Sequence, residues 1–169
     1  GKILVAHLAI ETFEMARELY VFSALHHWLG TASCHYLYLA IEAAIKYRWC
    51  ATLQQPVVVT NASGGTITLD KPRHQDLFEL IDKMNGDPAW HYREIKINGV
   101  QFKAKVKIEE LVNDLFKAGV LSKWLQRRLR SGIKLRNIYS HRECSIIFPA
   151  SIDRIREVAR DISLLFHSL

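Results

Sequence analysis

Leu39-Ala40-Ile41-Glu42-Ala43-Ala44-Ile45-Lys46 is the stretch that decides the fold class of this 169-residue chain. Its apolar residues recur at steps of three and four, the spacing that places side chains on one face of an α-helix. The same face begins earlier, at Tyr36 and Leu37, and Thr31 or Ser33 offers a side chain that can cap the helix start. The sequence therefore predicts a helix from about Thr31 to Trp49.

A first long helix is predicted before this one, over residues 2–29. Its apolar residues, among them Leu4, Leu8 and Phe13, also recur at steps of three and four, and Gly30 is expected to end it. Two long helices joined by a short turn pack as an antiparallel hairpin. The first quarter of the chain is therefore predicted to be a helical hairpin.

The pattern changes over residues 54–106, where two β-hairpins are predicted. Residues 56–60 and 66–69 alternate as strands around a polar tip, and Asn98-Gly99 supplies the positive φ angles of a tight turn between residues 94–97 and 100–106. A short helix is expected between the hairpins, from about Gln75 to Met84. These elements form a small α/β insertion inside a helical protein.

Helical periodicity returns at about Lys107 and continues to the end of the chain. A short helix is predicted to reach Ala118, where Gly119 breaks it, and a long one to run from Leu121 to about Tyr139. Ser151 is expected to cap a last helix. The predicted protein is thus a single, mainly α domain over residues 1–169, a helical bundle that carries the β-hairpin insertion.

Composition narrows the class of protein. The chain has 49% apolar residues and a net charge of +6, which is typical of a globular protein with polyanionic partners. No apolar run approaches the roughly 18 residues that span a bilayer, so no membrane is expected. Cys34, Cys50 and Cys144 lack the spacing of a metal knuckle or a disulfide framework, which predicts reduced, buried thiols in the cytoplasm. The chain begins with Gly rather than Met, which suggests a trimmed chain or a piece of a longer protein.

The long helix near residue 130 is unusual in its charge. Between Lys117 and Arg142 there is no Asp or Glu. On a helical wheel Arg127, Arg130, Lys134, Asn137 and His141 fall within an arc of about 80°, opposite the apolar residues. Any surface helix has a solvated charged face, but faces of a single sign are less common. The sequence therefore favours RNA or another polyanion as ligand of the cations in this region, which are Lys123, Arg127, Arg128, Arg130, Lys134 and Arg142.

The helix ends in Arg136-Asn137-Ile138-Tyr139-Ser140-His141. Arginine can bind phosphate through two nitrogens, and histidine can transfer a proton near neutral pH. On a straight helix, however, Arg136 and His141 lie about 140° apart. Three arrangements would bring the two side chains together. The helix ends before His141, or Arg136 buries its apolar stem and extends its guanidinium to the edge of the site, or a second copy of the chain completes the site.

These residues resemble those of the HEPN superfamily (higher eukaryotes and prokaryotes nucleotide-binding). Its nuclease members are compact helical bundles that carry an arginine, a polar residue, and a histidine after four to six intervening positions. The order of elements here is similar, and residues 39–46 look like the second helix of such proteins. The likeness covers the helical two thirds of the chain. Arg160, Asp161 and His167 form a second copy of the spacing, with no basic helix before it.

The resemblance implies a metal-independent endoribonuclease without a cofactor. His141 would act as general base or acid, Arg136 would bind the scissile phosphate, and Asn137 would orient the phosphate or the imidazole. Members of the family usually form homodimers with a composite active site, and they commonly serve as toxins or antiviral defence effectors, with an antitoxin or a sensor domain as partner. Cleavage would use the 2′-hydroxyl of RNA and leave a 2′,3′-cyclic phosphate.

Two other interpretations stay open. In the first, the chain is a non-catalytic module whose basic helix binds RNA or a partner protein. In the second, it is the nuclease domain of a larger defence protein. Among the four tryptophans, helical spacing between aliphatic residues predicts core positions for Trp28, Trp49 and Trp124. Trp90 is the candidate for stacking on a base.

Overall fold

The computed structural model describes residues 3–26, 28–60, 64–86, 95–102, 106–140 and 152–166, without the side chains of residues 3–6, 84–86 and 136–140. In these ranges the chain forms six helices, α1 (Ile3–Phe22), α2 (Trp28–Thr52), α3 (His74–Gly86), α4 (Ile108–Lys117), α5 (Lys123–Ser140) and α6 (Ile152–Phe166). Four strands make one antiparallel sheet, β1 (Val57–Thr60), β2 (Thr66–Leu69), β3 (Ile95–Ile97) and β4 (Val100–Phe102). The prediction of a mainly helical protein with an inserted β segment is confirmed, whereas a HEPN-type bundle stays a prediction.

The helical hairpin is present, but its turn lies earlier than predicted. The helix α1 ends at Phe22 and α2 begins at Trp28, so Gly30 lies inside α2 and does not end the first helix. The backbone N–H of Ser23 donates to the carbonyls of Leu19 and Tyr20, which closes the last turn of α1 without a glycine. A helix can end in this way with no Gly or Pro to signal it.

Gly30 and Ser33 serve the contact between the two helices instead. Gly30 is buried, and the Ser33 hydroxyl donates a 2.7 Å hydrogen bond to the Ala16 carbonyl in α1. Small residues allow the backbones to approach closely enough for this bond. The predicted capping role of Thr31 or Ser33 is therefore wrong, because both lie within α2 and Ser33 bonds across the hairpin.

The helix α2 is the centre of the bundle and contacts each of the other five helices. Its buried residues recur along its length, from Cys34 through Ala40 to Trp49. Trp49 is fully buried, and its indole N–H donates to the carboxylate of Asp114 in α4 at 2.7 Å. Its ring also meets Phe102 of β4 at a centroid distance of 5.5 Å. The sheet and the helices therefore share one core.

Both hairpins join in one sheet, with strand order β2-β1-β3-β4. Asn98 connects them: its backbone N–H donates to the Val58 carbonyl at 2.8 Å, and its side-chain oxygen accepts from the Val58 N–H at 2.7 Å. Asn98 and Gly99 adopt φ angles of 48° and 80°, as the Asn-Gly turn requires. The turn residue thus also pairs the second hairpin with the first.

Within the described ranges, no helix combines the length and the apolar character that crossing a bilayer requires.

Candidate nucleic-acid interface

The basic helix α5 is positioned by the turn that precedes it. Gly119 ends α4 with a φ of 75°, and the Ser122 hydroxyl accepts the N–H of Leu125 at 3.2 Å, which caps the start of α5. Leu125 and Leu129 then point into the core. The predicted helix from Leu121 is present, two residues shorter at its start, because Ser122 acts as the cap.

Four cations of α5 form its solvent-facing side, and we call them the α5 stripe: Lys123, Arg127, Arg130 and Lys134. They follow one another at steps of four, three and four residues, and all are exposed. At 1.5 Å per residue the stripe extends about 16 Å along the helix. In the part of the chain that the structure describes, none of the four makes an ion pair. The predicted cationic face is therefore open to a ligand.

Arg128 differs from the stripe, because it contacts α6. Its Nε donates to Oδ1 of Asp161 at 2.9 Å and its Nη2 to Oδ2 at 3.1 Å, while Glu157 lies 3.8 Å away. The hydrogen bonds to Asp161 raise the pKa of the Arg128 guanidinium, which is held charged. Asp161 is buried. The sequence grouped Arg128 with the RNA-binding cations, but its charge is already paired within the fold.

Trp124 lies beside Arg128 on the surface. Its ring is 48% exposed, and the guanidinium carbons of Arg128 and Arg160 lie 5.0 Å and 5.6 Å from the ring centroid. Trp28 is also exposed, so the predicted core position is right for Trp49 alone of the three. Helical spacing misled here because Trp124 lies at the border between the core and the exposed side of α5. Trp90 lies outside the described residues.

A groove of about 270 Å³ runs between α5 and α6. Arg127, Arg128 and Arg154 line it, and Leu135 lies at one end of the lining segment of α5. A second cavity, of about 350 Å³, lies beside Trp124 and Arg160 on the same pair of helices. Arg128 connects the two, since it lines the first and contacts the ring of Trp124. Arginines therefore border the whole seam between the helices.

A larger cleft, of about 440 Å³, lies between α2, α3, α4 and α5. Gly132 and Ile133 of α5 line it, opposite Glu42 and Lys46, which form an ion pair of 3.0 Å. The α5 stripe faces away from this cleft, because Gly132 contacts α2 while Arg130 and Lys134 are exposed.

The motif is described in part. The helical backbone of α5 continues through Ser140, so Arg136 and Asn137 both have helical positions. Position 136 follows Gly132 by one turn, on the side of α5 that meets α2, and position 137 follows Lys134 on the side of the stripe. The side chains of Arg136 and Asn137 lie outside the described residues, as do all of His141, Arg142 and His167. The three arrangements that would bring Arg136 and His141 together stay open.

Comparison of the chain with protein-family models, with curated proteins and with solved structures finds no match. The resemblance to the HEPN superfamily therefore stays a prediction that rests on the residues quoted for it.

The described residues contain no group of three or more His, Cys, Asp or Glu that is arranged to hold a metal ion. Of the thiols, Cys34 is buried, and burial raises the pKa of Cys50 to about 12. Both are free thiols; the predicted burial is confirmed for Cys34, whereas Cys50 is half-buried, and Cys144 lies outside the described residues.

The sequence missed Trp124, Arg160 and Asp161 as members of this surface. Trp124 and Arg128 are four residues apart, which is a signal for a contact along one helix. Asp161 lies 33 residues from its partner Arg128, and no local pattern connects two positions so far apart.

Proposed function

We propose that the chain is a metal-independent endoribonuclease of the HEPN type that acts as a homodimer. The toxin or defence role is carried over from the resemblance. The single observation that supports RNA as substrate is the α5 stripe, four exposed cations without ion pairs in the described part of the chain, on the helix that carries Arg136 and Asn137. Phosphate contacts of this kind supply most of the affinity for a nucleic-acid backbone.

The proposed reaction needs no metal. The 2′-hydroxyl of RNA attacks the adjacent phosphorus, and its proton passes to a base. The bond from phosphorus to the 5′ oxygen breaks, and that oxygen takes up a proton. His141 serves as base or acid in these transfers, and Arg136 stabilises the charge on the phosphate. Asn137 orients the phosphate or the imidazole. The products are a 2′,3′-cyclic phosphate and a 5′-hydroxyl, so DNA is not cut.

A homodimer is supported by an apolar patch where α1 meets α2, formed by Val21, Phe22, Leu25 and Trp28. These side chains are 68%, 54%, 74% and 58% exposed. Two of them are aromatic, and large apolar side chains exposed together are typical of a surface that binds another protein. We assign a second copy of the chain as the occupant of the patch, in line with the composite site that the resemblance implies.

The alternative is a non-catalytic module that binds RNA through the α5 stripe. The stripe itself favours this alternative equally, because it does not depend on the motif. Cleavage separates the two. Labelled single-stranded RNA is incubated in EDTA with the wild type, Arg136→Ala and His141→Ala, and the products are identified by mass spectrometry. Two exposed residues outside both the motif and the apolar patch supply matched controls, His7→Ala and Arg156→Ala.

We expect cutting in EDTA that falls by about 10²–10⁴-fold in His141→Ala and is unchanged in both controls. A strand with 2′-deoxyribose at the cleaved position should resist. Loss of cutting in EDTA, or full activity of His141→Ala, would contradict the mechanism. An inert wild type that still binds RNA would favour the binding module.

Binding is tested apart from cleavage by its dependence on salt. Each phosphate contact on a single strand changes the slope of log affinity against log salt by about −0.7. Four stripe cations then give a slope of about −3. Arg130→Gln should reduce the steepness by about 0.7, whereas Arg128→Gln should leave it unchanged, because Arg128 is paired with Asp161. Equal effects of the two substitutions would mean that Arg128 contacts RNA as well.

A further inference from the structure

We propose that Trp124, with Arg160 and Arg127, forms a subsite that stacks one unpaired base of an RNA strand and binds an adjacent phosphate. The inference rests on the proposed function in so far as it takes RNA as the ligand, and it adds that the strand is single. It concerns the seam between α5 and α6, outside the Arg136–His141 motif.

The first step is the exposure of the ring. An indole that is 48% exposed retains a large apolar surface in water, and stacking a base on it removes that surface from solvent. The cavity of about 350 Å³ beside the ring is lined by three aliphatic residues, by Ser122, whose hydroxyl accepts the N–H of Leu125, and by Trp124 and Arg160; the aliphatic residues are Val120, Leu125 and Leu164. It therefore presents an apolar floor with one cation at its edge, which fits a planar base that carries a phosphate.

The second step is the orientation of the ring. Arg128 contacts the indole at 5.0 Å and is itself held by two hydrogen bonds to Asp161. A ring ordered in advance loses little entropy when a base stacks on it. The Arg128–Asp161 pair thus positions Trp124 rather than the ligand.

The third step is the charge around the ring. Arg160 lies over the ring, 5.6 Å from its centroid, is exposed, and has no ion pair within the described ranges, so a base that stacks on the ring displaces this guanidinium onto its own outer face or its phosphate. Arg127 is three residues from Trp124, belongs to the α5 stripe and lines the adjoining groove. A guanidinium can stack on the outer face of a base or bind its phosphate. The subsite is therefore continuous with the stripe, and a strand that stacks on Trp124 can place its backbone on those cations.

A duplex does not fit this arrangement, because its bases are stacked on each other and not available to Trp124. Protein ligands with acidic side chains match the charge but not the aromatic ring. The structure therefore assigns the subsite to single-stranded RNA.

The test compares the full-length chain with Trp124→Ala, Trp124→Phe and Arg160→Gln in binding a labelled single-stranded RNA 12-mer and its duplex. Phe116→Ala is the control, since Phe116 is an aromatic residue of α4 that is 37% exposed and belongs neither to the apolar patch nor to the lining of the two cavities between α5 and α6. Binding is measured in EDTA with 2′-O-methyl RNA, which lacks the attacking 2′-hydroxyl, so that cleavage does not interfere. Circular dichroism verifies the fold of each variant.

We expect Trp124→Ala to weaken binding of the single strand by about 5- to 150-fold, the usual range for one base on an aromatic ring, with an unchanged salt slope. Trp124→Phe should retain most of the affinity. Arg160→Gln should reduce the steepness of the salt slope by about 0.7. Duplex binding should change little in Trp124→Ala, and Phe116→Ala should bind both forms of RNA as the wild type does.

Wild-type affinity in Trp124→Ala overturns the subsite, as does an equal loss for single strand and duplex. The subsite is also wrong if oligoglutamate displaces the labelled RNA as effectively as an unlabelled RNA strand of equal charge does, because binding would then depend on charge alone. If Trp124→Ala weakens binding but the wild type never cuts RNA, the subsite is supported and the nuclease proposal is wrong. If the wild type cuts RNA and Trp124→Ala binds with undiminished affinity, the nuclease is supported and the subsite is wrong. If the wild type binds no RNA, both proposals are wrong.

Discussion

The ion pair between Arg128 and Asp161 allows a sharp prediction, because its two partners differ in exposure. The Arg128 side chain is 30% exposed, whereas that of Asp161 is 7% exposed. Removal of arginine leaves a carboxylate in a buried position without its partner. Removal of the aspartate leaves a guanidinium that water can reach. The two single substitutions should therefore destabilise the protein unequally.

The magnitudes follow from this difference. An unpaired buried charge costs about 3–5 kcal/mol, while the loss of hydrogen bonds to a charged group that remains hydrated costs about 1.5–3 kcal/mol. We expect Arg128→Met, which keeps the apolar stem, to lower the free energy of unfolding by about 3–4 kcal/mol. Asp161→Ala should lower it by about 2 kcal/mol. In a chain of this length each kcal/mol lowers the melting temperature by about 2–4 °C.

The measurement is urea denaturation of both single variants, the double variant and the wild type, combined in a double-mutant cycle. Asp153→Ala is the control: it removes a carboxylate of the same helix, whose contact with Arg156 is 3.6 Å long with both side chains more than 70% exposed. It should cost no more than about 1 kcal/mol, because the ion pair is exposed and the remaining effect is that of one carboxylate in the first turn of α6. If the double variant loses the sum of the two single losses, or if Asp161→Ala costs more than Arg128→Met, the reasoning from burial is wrong.

Three further predictions concern other parts of the fold. Gly132→Ala should stabilise by about 0.5–1 kcal/mol in thermal unfolding, because alanine favours a helix and a Cβ there would lie 3.4 Å from the Tyr38 ring, an ordinary contact. Destabilisation would show that the Tyr38 ring leaves no room for this Cβ. Burial and the charge of Lys46 lower the pKa of His74, so the unfolded state binds the proton more readily and the free energy of unfolding should fall as pH drops below about 6.5. His74→Gln should lose less free energy of unfolding between pH 8 and pH 5.5 than the wild type does. Parallel plots of this free energy against pH for the two proteins would contradict the prediction. Phe22→Asp with Trp28→Asp should convert a homodimer into a monomer in light scattering, and an unchanged mass would exclude the apolar patch as the interface.

The helices were predictable because their signals are local. The three- and four-residue spacing in residues 39–46 predicts α2, and Asn98-Gly99 predicts the second β-hairpin. The turn at Ser23 was not predictable, because it is closed by backbone hydrogen bonds that any sequence can make, while Gly30 offered a false signal. A glycine that allows two helices to approach and a glycine that ends a helix look alike in sequence.

Long-range contacts were beyond the sequence for a different reason. The two hairpins are joined by the pairing of β1 with β3, which the hydrogen bonds between Asn98 and Val58, 40 residues apart, extend. Either residue alone has an adequate local explanation, as a turn former and as a strand residue. Nothing in one sequence shows that the same asparagine also satisfies the Val58 N–H, so the single sheet could be recognised only in the structure.

In the candidate site too, the features that depend on local sequence were predictable, and those that depend on a contact between helices were not. Helical geometry was sufficient to predict that Arg127, Arg130 and Lys134 share one exposed side, to which the structure adds Lys123. The same wheel left Arg128 outside that arc, but it could not show that Arg128 is paired, because its partner Asp161 is supplied to the flank of α5 by α6. The same contact that neutralises Arg128 also orders Trp124 through the 5.0 Å approach of its guanidinium. Packing of α6 thus removes one cation from the surface that α5 presents and adds an oriented ring to it. A basic helix without such a neighbour would bind a polyanion by charge alone, and the choice between single and double strands enters only where the two helices meet.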